Sequence, residues 1–260
     1  MTLFVSDAHL GRGSRHDTRE AERALVALIE AHADEILTGG RLVLHGDVFD
    51  QWIEYKHLAP KGGLRLLGAL AGLADAGGEI HYLVGNRDPW HVDLMEDEVG
   101  VRILRGPWEA EIEGVRAYIA HGDGLRPPET PASRLLNRLQ PFVRHPRVAR
   151  LYRTGLPGDV GYGIARWVSR TFGSDGTPDP DAARRVDAAA REILETTDRE
   201  LVVLGHSHTA RLTTTPHGTY LNTGYWFGAR TFGRLDSDGP ALLRWTGRTA
   251  QPISALEAAA

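Results

Sequence analysis

Short apolar runs recur along the chain and alternate with stretches of helical period. Leu3–Ser6, Leu42–Leu44, Ile80–Val84, Val115–Ala120 and Leu201–Leu204 read as buried strands. Asp17 followed by Glu20 resembles a capping box opening a helix through Glu30, with Ala21, Leu25, Leu28 and Ile29 on one face. A second helix is expected over Leu64–Ala76, closed by Gly77 and Gly78. Strands alternating with helices imply an α/β architecture with a partly parallel sheet.

The pattern changes between Leu125 and Glu195. Prolines and glycines there punctuate short helical pieces near Ala132–Leu139, Arg147–Arg153 and Ile164–Phe172. Asp179 and Pro180 look like an N-cap and first-turn proline for a helix running to Glu195. Strand-like sequence resumes afterwards, so 125–195 reads as a helical insertion within a single domain covering 1–260. Arg211–Thr215, Thr219–Asn222, Arg230–Leu235 and Ala241–Trp245 read as antiparallel strands turning at His217-Gly218 and Asp238-Gly239. The alanine-rich last residues are expected to fray.

Composition narrows the chemistry. With 260 residues, 42% hydrophobic, the chain can bury a substantial core, and a net charge of −4 gives no global attraction to nucleic acid or membranes. No cysteine is present, which excludes disulfides, thiolate metal sites and cysteine nucleophiles and fits a reducing cytoplasm. No apolar run approaches the roughly 18 residues of a membrane span. The stretch Met1–Asp7 reads as the first core strand, not as a signal peptide.

Each of the five strand candidates ends in metal-ligand chemistry. The sequence gives Asp7-Ala8-His9, Gly46-Asp47-Val48-Phe49-Asp50, Gly85-Asn86-Arg87-Asp88, His121-Gly122-Asp123 and Gly205-His206-Ser207-His208. In an open α/β sheet ligands bind beyond the carboxyl ends of the strands, so these groups are expected to converge there. Imidazole with carboxylate suits manganese, iron or zinc better than calcium.

The order D-x-H, G-D-x-x-D, G-N-x-D, H-G-D and G-H-x-H resembles the calcineurin-like metallophosphoesterases. The resemblance implies a four-layer αββα sandwich carrying the insertion as a cap. It implies two divalent cations, Mn²⁺ first among them with Fe and Zn as alternatives. Asp7, His9, Asp47 and His208 would hold one, and Asp47, Asn86, His121 and His206 the other, with Asp47 bridging. A hydroxide held between the cations would attack phosphorus. Asp50, Asp88 and Asp123 would orient imidazoles or the site loops.

Many members of that superfamily carry histidine where this chain has Arg87. A guanidinium stays charged at working pH and cannot act as a general acid, but its fork of donors binds phosphate oxygens. A phosphate leaving group, with a second pKa near 6, needs no proton donor as an alkoxide would. Arg87 therefore favours diphosphate cleavage, unless a neighbour such as His91 supplies the proton. The G-N-R-D version and Trp52-Ile53 are similar to the UDP-2,3-diacylglucosamine diphosphatases. That likeness implies release of UMP and a sugar 1-phosphate, with Arg87, Asp47 and His121 in the reaction and Arg87 and Trp52 on the substrate. The chain departs from that family's pattern at Glu54-Tyr55 and at Gly124–Pro128.

Between Arg126 and Arg170 nine arginines face only Glu129 and Asp159, interleaved with apolar residues. Such helices suit an anionic glycolipid or peripheral contact at the inner membrane face, and equally a solvated surface pair packed on the sheet domain. A general or cyclic-nucleotide phosphodiesterase is the alternative activity, and a non-catalytic scaffold the alternative class. The expected partner is a phosphate-containing substrate, not nucleic acid. Oligomeric state is left open by the sequence.

Overall fold

The structure is a computed structural model that describes residues 1–125, 145–172 and 180–253. The expected helix at Ala132–Leu139, the cap residue Asp179 and the alanine-rich tail lie outside them.

The first sheet has seven strands in the order β12-β11-β10-β1-β2-β3-β4. Its centre is parallel: β1 (Thr2–Val5), β2 (Arg41–His45), β3 (Glu79–Leu83) and β4 (Arg102–Leu104). β10 (Thr231–Asp236), β11 (Gly239–Trp245) and β12 (Ala250–Pro252) complete it antiparallel. The second sheet runs β5-β6-β7-β9-β8. It comprises β5 (Trp108–Ile112), β6 (Val115–Ile119), β7 (Leu201–Leu204), β8 (Arg211–Thr215) and β9 (Gly218–Asn222). Within it β6, β7 and β9 are parallel.

The alternation of side chains along each strand sorts the core into layers. Phe4, Val43 and Leu83 point between the sheets and meet Ile119, Leu201, Val203 and Leu221. Their neighbours Leu3, Val5, Leu42 and Leu44 point outward under α1 (Arg15–Ala31) and α3 (Leu64–Asp75). The short α2 (Ala33–Leu37) adds Ile36 to the same layer. On the far side Val202, Leu204 and Tyr220 pack under Val186, Ala190 and Leu194 of a long helix. Strands apolar on both faces are what a sheet covered on both sides requires, each fully buried large side chain contributing about 1.5–3 kcal/mol. The result is the expected αββα sandwich.

Helix boundaries differ from expectation in instructive ways. α1 begins three residues early because Asp17 is the third helical residue and not the cap. Ser14 accepts from the Asp17 amide while the Asp17 carboxylate accepts from the Ser14 amide, which closes the capping box. α3 has no side-chain cap of its own. Glu22, buried on α1, accepts from the amides of Arg65 and Leu66 instead, so one helix caps another. β4, β5 and β12 were not expected from the sequence. β4 and β12 are too short to show a pattern, and Trp108–Ile112 alternates with glutamates that leave its run only half apolar.

Within 125–195 the described residues form α4 (Pro146–Gly155), α5 (Gly158–Phe172) and α6 (Pro180–Thr196). α6 is the helix that covers the second sheet. α4 lies against the segments after β2 and β3: Arg153 Nη1 donates to the Glu54 carbonyl at 3.0 Å, and Tyr152 packs on Trp90 with centroids 4.8 Å apart. Leu151, Val160, Ile164 and Trp167 remain exposed on α4 and α5. Among the described residues no helix is long and apolar enough to cross a membrane.

Candidate metal centre

β1, β2 and β3 are parallel in one sheet and β6 and β7 in the other, so their carboxyl ends deliver all five motifs to one crevice. The chain turns sharply there. Of the seven non-glycine residues with positive φ among the described residues, five are expected ligands: Asp7 (53°), His9 (40°), Asp47 (53°), His206 (67°) and His208 (57°). Left-handed backbone costs an ordinary residue roughly 1–2 kcal/mol, and it persists only where the surroundings over-determine it. The surroundings are correspondingly tight. A Cβ on Gly205 would lie 2.6 Å from Asp7 Oδ2, and one on Gly85 would strike the Asp47 carboxylate.

Two triads of donors result, Asp7–His9–His208 and Asp7–Asp47–His121, each with its ligand atoms within 4.8 Å of one another. His9 Nε2 and His208 Nε2 approach to 3.0 Å. Asp7 Oδ1 lies 3.3 Å from His208 Nε2 and 3.6 Å from His9 Nε2. Asp47 Oδ2 stands 3.4 Å from His121 Nε2 and 3.9 Å from His9 Nε2, between the two groups. Asn86 Oδ1 is 3.2 Å from His121 Nε2, and the His206 ring meets His121 edge-on at 5.1 Å. Asp7 is thus common to both triads, a sharing that no motif indicates.

The outer oxygens and nitrogens are already committed, which aims the inner ones. Asp7 Oδ2 accepts from Ser6 Oγ at 2.5 Å and from the His206 amide at 3.0 Å, while Oδ1 is buried without a hydrogen-bond partner. Asp47 Oδ1 accepts from the Arg87 amide at 2.8 Å. His121 Nδ1 lies 3.1 Å from the His45 carbonyl, which fixes the proton on Nδ1 and leaves the Nε2 lone pair facing inward. Burial alone would push the His121 imidazole down, but Asp47 and Asp7 outweigh it and raise it to about 10. Burial would likewise raise both carboxyls, yet His121 holds Asp7 and Asp47 well below the usual carboxylate range. Ionised carboxylates, an orphaned buried oxygen and inward imidazole nitrogens form a donor set that fits a divalent cation, which would compete for the proton on His121.

The remaining expected residues divide. Asp50 Oδ1 is 3.5 Å from His9 Nδ1, and Asp123 lies near enough to His121 and His206 to favour their charged forms. The Asp88 carboxylate is held by loop amides. Fully buried, it accepts from the amides of Asp47, Phe49 and Gly85 and from Tyr82 Oη at 2.5 Å, tying the second motif to the third. Arg87 is half-buried beside Asp50. Trp52, expected to touch substrate, is instead 1% exposed, packed on Phe49 and stacked on His91, with Nε1 donating to Glu54. Its bulk and apolar surface take it into the core. His91 is buried there too, burial pushing its imidazole down to about 3, so near neutral pH it is uncharged and a poor proton donor.

Several supports escaped the sequence reading. Asn222, fully buried, bonds Gly205 O, Ser207 Oγ and Tyr220 Oη, and Thr223 Oγ1 links Ser6 Oγ to His45 Nε2. Asn222 ends β9 and Thr223 follows it, and β9 is parallel to β7, so the strand-end rule would have found them had that pairing been legible. Arg12 and Tyr225 adjoin His9 and His208 and carry no motif signal.

No family model matches the chain. It is 31% identical over 209 residues to the UDP-2,3-diacylglucosamine hydrolase of Nitrosococcus oceani, covering 80% of this chain and 78% of the relative. To the protein of the same name from Porphyromonas gingivalis it is 38% identical over 120 residues, 46% of this chain and 45% of the relative, so that match spans less than half the relative's length. The solved structure of Yfce, a phosphoesterase from E. coli, aligns over 98% of each chain at 16% identity with a TM-score of 0.47. Gathered carboxylates and imidazoles at the strand ends, together with hydrolase relatives, define a metal-dependent phosphoester hydrolase. Within that class, this chain belongs to the UDP-2,3-diacylglucosamine hydrolase family.

Proposed function

We propose that the chain is a dinuclear diphosphatase that hydrolyses UDP-2,3-diacylglucosamine, or a related nucleotide-sugar lipid, to UMP and a sugar 1-phosphate. The observation that carries the reading is Asp47 Oδ2, which stands 3.9 Å from His9 Nε2 and 3.4 Å from His121 Nε2, between two neighbouring donor triads. In this reading Asp7, His9, Asp47 and His208 hold one cation and Asp47, Asn86, His121 and His206 the other, with Mn²⁺ the working metal. Bound cations supply Lewis-acid charge stabilisation and make water acidic enough to act as nucleophile near neutral pH.

The chain's own residues do the rest. Ser6, the His206 amide and the His45 carbonyl hold Asp7 and His121 in the orientation that the chemistry needs. The Arg87 guanidinium binds phosphate oxygens, and its own backbone amide keeps Asp47 turned inward. No buried acid is required at the leaving group, because a phosphate monoester departs without a proton. Exposed Leu151, Val160, Ile164 and Trp167 alternate with exposed Arg147, Arg150 and Arg166 on α4 and α5, a surface suited to acyl chains on an anionic headgroup and to the inner membrane face.

Purified protein with UDP-2,3-diacylglucosamine and Mn²⁺ is expected to release UMP, and a chelator to stop it. Absence of UMP alongside strong turnover of bis-p-nitrophenyl phosphate would retire the diphosphate substrate in favour of a general phosphodiesterase.

A further inference from the structure

We propose that Arg12 and Tyr225 are positioning residues for His9 and His208, closing a ring of contacts that sets the affinity of one half of the metal centre. The inference rests on the metal-binding reading above. Asp50 Oδ1 accepts from Arg12 Nε at 2.9 Å and forms an ion pair with Arg12 Nη2 at the same distance, and the same oxygen lies 3.5 Å from His9 Nδ1. The Arg12 guanidinium also faces the Tyr225 phenol. The Tyr225 ring stacks on His208, centroids 4.4 Å apart at 16°, and meets His9 edge-on at 5.9 Å. His9 and His208 then touch through their Nε2 atoms, and the circuit His9–Asp50–Arg12–Tyr225–His208 is complete.

The circuit answers a mechanical need. His9 and His208 both sit on left-handed backbone, a conformation that neighbouring contacts must hold. Asp50 keeps a quarter of its side chain exposed, so without the Arg12 guanidinium its carboxylate is free to turn to solvent and release His9 Nδ1. The Tyr225 ring walls one face of His208. Tyr225 is itself firmly seated. Its amide donates to Thr231 Oγ1 at 3.1 Å, and the amide of Phe227, two residues on, donates to the Asp7 carbonyl at 3.2 Å. Gly228 clears the space for its ring, since a Cβ there would stand 2.7 Å from two ring carbons.

The test is a calorimetric Mn²⁺ titration of the metal-stripped full chain, wild type against Tyr225→Leu, Tyr225→Phe, Arg12→Ala and Arg12→Lys. Urea midpoints of the metal-free proteins are measured in parallel. Tyr225→Leu and Arg12→Ala are expected to weaken Mn²⁺ binding about tenfold or more, the scale seen when outer supports of metal ligands are removed. Tyr225→Phe keeps the stack but loses the phenol that faces Arg12, and is expected to bind between wild type and Tyr225→Leu. Arg12→Lys keeps charge and fold but loses the fork, and is expected to bind more weakly even if the alanine variant does not fold. Wild-type affinity in both Tyr225→Leu and Arg12→Lys would overturn the inference alone. A wild type that takes up no Mn²⁺ would overturn the metal-centre reading and the inference together.

Discussion

Glu54 offers a sharp test of how the loops around the site are held. It is 2% exposed, and its carboxylate meets four donors. The amides of Asp93 and Leu94 reach Oε1 at 3.0 and 2.9 Å, and the Val92 amide and Trp52 Nε1 reach Oε2 at 3.0 and 3.3 Å. Glu54→Gln preserves the volume and replaces one acceptor oxygen by an NH₂ group. In either amide orientation that group faces two N–H donors, which both lose their partner. An unsatisfied buried donor costs roughly 1–3 kcal/mol, so the expected loss is about 2–6 kcal/mol, against a typical total of roughly 5–15. Urea unfolding at unchanged m-value measures the global part, and hydrogen exchange at Val92, Asp93 and Leu94 measures any opening confined to the loop. The effect also carries a pH signature. Burial alone would raise the Glu54 carboxyl, but the amides of Leu94, Val92 and Asp93 outweigh it and hold it below its ordinary 4.5. Stability from a depressed carboxyl is present above the unfolded pKa and is lost as pH falls through the folded one. The gap between wild type and Glu54→Gln should therefore narrow in acid, below about pH 4.5. An unchanged urea midpoint, with no faster exchange at those three amides, would refute the reasoning.

Gly205→Ala places a methyl against Ser6 Oγ and 2.6 Å from Asp7 Oδ2, so Mn²⁺ affinity measured by calorimetry should fall about tenfold or more; wild-type affinity would mean Asp7 can move without penalty. Arg87→Ala removes charged hydrogen bonds worth about 1.5–3 kcal/mol each, so kcat/KM for the diphosphate should drop at least about tenfold. Bis-p-nitrophenyl phosphate turnover should suffer less, and equal losses on both substrates would deny Arg87 a role in diphosphate recognition. His91, pushed by burial to about 3 from 6.5, binds fewer protons folded than unfolded between those values. Stability should therefore fall as pH drops, by about 2 kcal/mol at pH 5 from this residue. His91→Phe, which keeps the stack on Trp52, should flatten that acid limb in urea titrations at pH 7 and 5; an identical acid loss in both proteins would show that His91 is not its source.

The strand-end motifs were legible because each is contiguous. An apolar run, a turn and a ligand-type side chain lie within a few residues, and the parallel-strand rule says where such ends gather. Asp7, His9, Asp47, His121 and His208 stood among the candidates on that basis, and the family resemblance singled them out as ligands before any pairing was known. Trp52 was misplaced because the same sequence that follows a motif can also enter the core, and an indole's apolar area draws it inward once Phe49 and His91 offer a surface. Glu54 looked like a mere departure from a pattern. Its role exists only because the loop after β3 folds back to present three amides to it. The sharing of Asp7 between both triads, the Arg12–Tyr225 support and the Asn222 hub all depend on side chains some 200 residues apart in sequence, or on β9 lying parallel to β7. Local pattern determined which chemistry the chain carries and which edge of the sheets presents it. Only the docking of two sheets decided which carboxylate is common and what holds the imidazoles still, because those contacts cross between strands whose pairing is set by the packed core.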